Sequence, residues 1–550
     1  MSGFIDIPIA NLRGNTGPAG QGLPGTGAVP ADAAVAGYIG APSSTQTAGD
    51  TRWAKKVGVN IADYADLAAA IAALPATGGT VFVPTGRFPV GNWTSGSPMS
   101  KENVRIVGEK LPRLSANGDR LENGSVLMGR FNVFASGLEV DGVGFDFGKY
   151  VCDTYYSAAD QVATSHPLGG SWDAFAFAEP NQGTPTGARR NVRIGSIIGL
   201  LRQPNSNGHA VLIEGIDGGA VGRAQGVCGI HAVAVKSLNM QIDALTGFSG
   251  SNNHVIIKSD SYAKAGNLQI GEILTAKAPP NITPHWTIVD AQHGVLFNPQ
   301  TNDFLGSVQV DSIRASGAII GLDCDGATGR NIADVQIGQV VADGFGSAMD
   351  AALRLQNVTP SRWQVRSLIA NNTIRGIVLG NGALAVGVVT MTNLTGAGLT
   401  ANGTSRMRVD SAEFTNVNTA YYIDDTARIQ VGGERIYSIT TKWGRSAPAL
   451  AAGWADFGSG NEWFQVVMAN YGVELRGLLL ASAGVTGTIA NFPIYLRPVA
   501  GKRFPGYLNN GSRNFALIGA ATAGQLTLND GTAPAAGNYI SVDGVAWAHV

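Results

Sequence analysis

A short motif, apolar, polar, apolar, Gly or Asp, polar, apolar, recurs through the middle of this chain and constrains its fold more than any other feature. It reads VRIGSI at 192–197, MQIDAL at 240–245, LQIGEI at 268–273, VQVDSI at 308–313, VQIGQV at 335–340 and WQVRSL at 363–368, then MRVDSA at 407–412 and IQVG at 429–432. Between copies lies a second element, an apolar run often ending in Asn or Asp: HGVLFN at 293–298, AALRLQN at 351–357, RGIVLGN at 375–381 and AYYIDD at 420–425. First-element copies start 28 residues apart from 240 to 268, 40 to 308, 27 to 335 and 28 to 363, and two further steps reach 407.

Period-two alternation marks strands. Strands this short are unstable alone, but coils stacked about 4.8 Å apart let each strand pair with the coil above and the coil below. The repeat therefore predicts an all-β parallel β-helix, a single-stranded solenoid. Leucine-rich repeats share the period, but their LxxLxLxxN signature is missing. Alternating βα units would need helices between strands, and the pattern offers essentially none after Leu74.

Composition agrees. Gly is 75 of 550 residues and charged residues are 14%, against roughly 7% and 25% in typical chains, so this one is rich in turns and poor in charge. Acidic and basic residues number 39 and 38, which removes the basic footprint of nucleic-acid binding. The cysteines Cys152, Cys228 and Cys324 are odd in number and widely spaced, arguing against a disulfide framework or a zinc site. The N-terminus lacks the basic and apolar regions of a signal peptide, and no apolar run approaches the roughly 18 residues of a membrane span. The expectation is a product made in the cytoplasm, with no membrane insertion.

Ahead of the repeats, Gly14, Gly17 and Gly20 fall in every third place, then slip phase to Gly22 and Gly25, with Pro18 and Pro24 among them. Triplet glycine is what a triple helix demands at its axis, and a flexible Gly/Pro linker is the alternative. Residues 63–74 (DYADLAAAIAAL) predict one short amphipathic helix, capped by Asn60 or Asp63 and stopped at Pro75. Gly78 and Gly79 then turn into the strand TVFVP at 80–84, and another strand begins at 87–90.

A helix followed by GGTVFVP and then by irregular coils resembles the pectate-lyase-like right-handed β-helix of bacteriophage tailspikes, with the helix capping the first coil. The preceding GPAGQG at 17–22 is similar to the short collagen-like connectors of phage minor tail proteins. Farther on, the order GW at 453–454, YGVELRG at 471–477, GTI at 487–489, FPIYLRP at 492–498, NFALIG at 514–519 and ISVDGVAW at 540–547 resembles small β domains at the tips of phage tail fibres; Phe492-Pro493-Ile494 departs from the usual apolar-Pro-Gly turn. With all three agreeing, the triple-helix reading of Gly14 to Gly25 is preferred. The resemblance implies a virion-attachment segment at 1–13, a collagen-like connector and linker at 14–52, a β-helix at 53–440 and a β-sandwich-like tip at 441–550. It further implies a homotrimer at the virion tail tip that joins other tail-tip proteins through its N-terminus and binds a host cell-surface glycan. The rivals are a depolymerase acting on that polysaccharide and a purely structural component.

A glycosidase needs two carboxylates roughly 5–9.5 Å apart. The candidates are Asp323 with Asp325, Glu214 with Asp217, and Asp424 with Asp425. Each is weakened by the repeat, because Asp323 to Asp325 occupy a strand exit that carries Asn357, Asn381 and Asp425 elsewhere, where residues tolerating a left-handed backbone are favoured. The slots of Asp243, Asp311 and Asp410 accept Gly195, Gly271 and Gly338 in other copies, and so read as turns. No acidic cluster with an Arg beside it supports calcium-dependent lyase chemistry; no metal or cofactor is expected. His209, His254 and His293 each precede a second-element strand and are expected to stack on one edge, as a proton- or metal-sensitive ladder or, preferably, as plain corner packing. The stretch 148–190 carries no coil motif but many aromatics, and Tyr155, Tyr156 and Trp172 are its receptor-contact candidates.

Overall fold

The computed structural model describes most of residues 58–444, with 92–97, 156–172, 179–188 and several shorter stretches aside, and separate strands between 454 and 547. The collagen-like Gly14, Gly17, Gly20, Gly22 and Gly25 lie outside the described residues. The chain divides into Met1–Lys55 and Lys56–Val550, and the second unit holds every described element.

The expected solenoid is there. Twenty-five strands form one sheet, every pairing in it parallel from Gly58–Asn60 to Ile439–Gly444. The first-element starts stand in one column: Val192, Gly219, Met240, Leu268, Val308, Val335, Trp363, Leu384, Met407 and Ile429. Two coils in this column carry no recognisable motif. They pass through Gly219 in His209–Val227 and through Leu384 in Ala383–Ala401, and the latter accounts for the two steps from 363 to 407.

Alternation sets the core. Val308, Val310, Ile313 and Ala315 are buried on one coil, and their register partners form a continuous interior with Val295, Phe297, Leu322 and Cys324 of the second element. Each such aliphatic side chain contributes roughly 1.5–3 kcal/mol by leaving water. Aromatics fill the wider parts: Phe131 stacks on Phe145 at 5.5 Å, and Trp363 meets Phe297 edge-on at 5.7 Å. The 40-residue step also has a physical reason. The stretch before Ala291 folds back on the Arg113–Glu122 hairpin, where Thr283 and His285 donate backbone N–H to Ala116 and Asn117. Trp286 lies over Gly118, whose φ of +75° and missing Cβ make room for the ring.

Three expectations need correction. The N-terminal helix is shorter than 63–74: Asn60 caps a 3-10 turn at Ile61–Asp63, and Asp66 starts the α-helix Leu67–Ala72 by accepting from the Ala69 N–H at 2.7 Å. Tyr64 is extended between them, because two Asx caps compete for one start. A second helix, Lys149–Tyr155, exists after Leu74, burying Val151 and Cys152. The left-handed asparagines sit at different corners from the one expected. Asn239 and Asn267 have φ near +50° just before the first-element strand, and Asn372, Asn393 and Asn416 have it at the exit of that strand, whereas Asn381 does not, and Asn357 and Asp425 lie outside the described residues. These amides ladder from coil to coil, Asn416 donating to Asn393 at 2.9 Å and Asn393 to Asn372 at 3.2 Å.

Beyond residue 444 the described strands pair antiparallel, in a seven-stranded and a three-stranded sheet. Among the described residues no helix is long and apolar enough to cross a membrane.

Candidate functional site

The fourth place of the first element shapes the surface. Ladder pairing passes from Ile270–Val310 directly to Glu272–Ser312, skipping Gly271 and Asp311, and the same skip recurs on the coils that follow. Asp311 and Ser312 both turn away from the core, which breaks the alternation and bends the strand. From Asp243 onward the column alternates side chain and glycine: Asp243, Gly271, Asp311, Gly338, Arg366, Gly387, Asp410, Gly432. Sterics explain the alternation. A Cβ on Gly271, Gly338 or Gly387 would stand 2.5, 2.4 or 2.5 Å from the carbonyl oxygen of the preceding coil's Asp243, Asp311 or Arg366. Asp243, Asp311 and Asp410, read from sequence as turn positions, lie within continuous strands at the place where each strand bends.

Along this bend runs an open groove of about 530 Å³, lined by Gln309, Gln336, Gln364, Asp311, Arg366 and Arg408 among others. Its glutamines belong to a column of five, Gln241, Gln269, Gln309, Gln336 and Gln364, paired in register on successive coils about 4.8 Å apart. Among the described residues no hydrogen bond joins one of these amides to the next, and the single internal bond runs from Gln336 to Asp334 at 3.2 Å. The groove thus presents donors and acceptors that the fold leaves unused. The carboxylates lining it, Asp311 and Asp410, lie four coils apart, about 19 Å, too far for a glycosidase pair.

The carboxylates singled out from sequence are elsewhere. Asp323 faces away from the core yet is fully buried; Arg354 donates to it through Nε at 3.0 Å and Nη2 at 2.6 Å, and His293 Nε2 lies 3.1 Å away. Asp325, two residues on, is half-buried at the strand end. Glu214 is fully buried against Lys236 Nζ at 2.7 Å, and Lys236 also meets Asp260 at 3.1 Å. Asp217, across a register shift from Glu214, accepts from Asn239 at 2.5 Å and faces Arg190 at 3.5 Å. Glu214 and Asp323 are four coils apart, about 19 Å, so the fold does not bring them together. Asp424 and Asp425 lie outside the described residues.

The histidine ladder exists with different members. In register stand His209, His231, Asn253 and His293. Asp173 meets His209 Nδ1 at 2.7 Å, Asn253 donates to His231 Nδ1 at 2.8 Å, and His293 Nδ1 meets the other end of that amide at 2.7 Å. His254 is one residue out of phase, fully buried, with neither ring nitrogen hydrogen-bonded and burial driving its pKa down to about 3. The period-two rule would have caught this, since adjacent residues cannot share a ladder.

Of the aromatic candidates, Tyr155 is exposed at the end of its helix, while Tyr156 and Trp172 lie outside the described residues. Phe175 and Phe177 are buried in a core strand between Phe131–Val133 and His209–Val227, and Tyr150 sits under Arg87 and Arg120. The glutamine column and Arg366 were overlooked, although the repeated Gln in the second place of the motif was their signal.

No known family profile and no curated protein matches the chain. Among solved structures, it is similar to the ORF18 protein of Geobacillus virus E2, at 12% identity over 86% of this chain and 76% of that one, with a TM-score of 0.30. It is similar to the A-module of a mannuronan C-5 epimerase of Azotobacter vinelandii, at 14% identity over 70% and 99%, TM-score 0.32. A third is full-length tailspike protein 2 of the Escherichia coli O157:H7 bacteriophage CAB120, at 12% over 68% and 61%, TM-score 0.16.

Proposed function

We propose that this chain is a homotrimeric bacteriophage minor tail protein, a tail fibre or tailspike, that binds a host cell-envelope glycan through the glutamine-lined groove. The observation that carries the binding step is the column Gln309, Gln336, Gln364: three in-register amides, open to solvent, that form no bonds with one another. An amide donates and accepts at once, as sugar hydroxyls do. The coil spacing of about 4.8 Å is close to the length of one pyranose unit, so a chain lying along the solenoid axis would meet one amide per sugar. The tail assignment is supported by the sequence resemblance of the N-terminal triplets, the opening helix and strand, and the C-terminal motif series.

The test uses the purified full-length chain and envelope glycan from a cell that it binds. Retention of the glycan, with Q336A/Q364A weakening it, supports the reading; retention unchanged in that variant refutes the groove. Released oligosaccharides would favour the depolymerase alternative, and failure to bind any cell would favour a structural component. Light scattering giving a monomeric mass would refute the trimer.

A further inference from the structure

The bend column carries Asp243, Asp311 and Asp410 at its non-glycine places, and at one place only it carries a base, Arg366. That guanidinium is exposed in the groove and, among the described residues, has no ion-pair partner. Asp311 and Asp410 are each two coils away, about 9.6 Å, and Asp410 is already paired with Arg408 at 3.2 Å. The coils on either side present Gly338 and Gly387, whose side chains the neighbouring carbonyls exclude. Arg366 is therefore flanked by bare backbone, with the amides of Gln336 and Gln364 beside it and, among the described residues, no carboxylate paired with it.

Resting on the groove reading above, we infer that Arg366 is an anion subsite, which seats a carboxylate or phosphate group carried by the bound oligosaccharide. The planar guanidinium offers two parallel N–H donors matched to such a group, and the glutamine amides hold the neutral hydroxyls on either side. The ligand class is thereby narrowed to acidic glycans, charged at one unit of the bound segment. Asp311 adds selectivity, since a second acidic group two coils toward the N-terminus would meet a like charge.

The experiment measures binding of the full-length chain to an array of bacterial oligosaccharides in matched pairs: uronates with their carboxyl-reduced twins, and phosphorylated sugars with their dephosphorylated twins. Acidic members should bind about tenfold better than their neutral twins, the scale of one charge-assisted hydrogen bond. R366Q should erase that difference, and R366K should restore part of it without the fork. Which pairs show the difference tells carboxylate from phosphate. Equal binding of acidic and neutral twins, or a preference that survives R366Q, overturns the subsite. Q336A/Q364A reads the groove separately: binding that ignores it, or no binding to any member, removes the groove reading itself. Because Arg366 is exposed and has no ion-pair partner among the described residues, R366Q should melt with the parent, which separates lost recognition from lost folding.

Discussion

Arg354 clasps the buried carboxylate of Asp323 through two hydrogen bonds, at 3.0 and 2.6 Å, from the next coil of the solenoid. A buried ion pair contributes little net stability when formed, because desolvation offsets attraction, but removing one partner strands the other. Asp323→Ala should lower stability by about 3 kcal/mol, the lower end of the usual range because Arg354 keeps some contact with water. D323L/R354M should recover part of that loss, the remainder being the contact of His293 Nε2 with the Asp323 carboxylate at 3.1 Å, which it also removes. Urea unfolding midpoints of the three proteins check this, and an unchanged midpoint for D323A would mean the pair is not formed. Glycan binding should be unaffected, since Asp323 is not in the groove.

The side-chain and glycine alternation along the bend makes a sharper claim. A Gly→Ala change in an ordinary conformation stabilises by about 0.4–1 kcal/mol through the unfolded chain. At Gly338 the new Cβ would stand 2.4 Å from the Asp311 carbonyl oxygen, and overpacking of that kind costs about 1–3 kcal/mol. G338A should therefore be destabilised by that larger margin, while D311G on the preceding coil should lose only the unfolded-chain term of about 0.4–1 kcal/mol. Thermal melts of the two variants decide it; equal behaviour would show that the alternation is not steric.

The solenoid was legible because its cause is periodic: alternation at period two, repeated every coil, is written directly in residues such as Val308, Gln309 and Val310. What escaped was written only once or out of phase. The coil at Leu384 has Gly387 and Val388 where the motif wants its bend and polar place, yet it pairs along its whole length, because backbone hydrogen bonding between coils does not depend on the side chains. His254 was mistaken for a ladder member because Asn253, the true one, is not a histidine. The groove was hidden for the opposite reason. Gln309 and Gln336 looked like ordinary outward polar residues, and only the skipped pair at Asp311 and Gly338 shows that the surface there bends.

Asn393 tests the corner geometry. Its φ is +58°, and its amide accepts from Asn416 and donates to Asn372. N393G and N393A both remove the ladder bonds, so the difference between them isolates the backbone term. Ala in a left-handed conformation costs roughly 1–2 kcal/mol that Gly does not. N393A should be less stable than N393G by that margin in chemical unfolding, and N393G should itself fall below the parent by the two lost bonds.

His254 should make the protein acid-sensitive. Its ring is fully buried, neither nitrogen is hydrogen-bonded, and burial pushes its pKa down to about 3, against the opposing pull of Asp290. In the unfolded chain the same group has a pKa near 6.5, so below that pH the unfolded state binds a proton that the folded state refuses. Stability from this group is complete above pH 6.5 and is lost as pH falls toward 3, at about 1.4 kcal/mol per pH unit. His231, also lowered by burial and then by His209, acts in the same direction; Asp146, raised chiefly by burial against the opposing pull of Arg87, acts in the other. H254L should match or exceed the parent at pH 7.5, since no hydrogen bond is lost, and its advantage should widen at pH 5 and again at pH 4. Melting temperatures at the three pH values measure the slope. An advantage that stays constant with pH would mean that the His254 ring is charged or hydrated inside the solenoid.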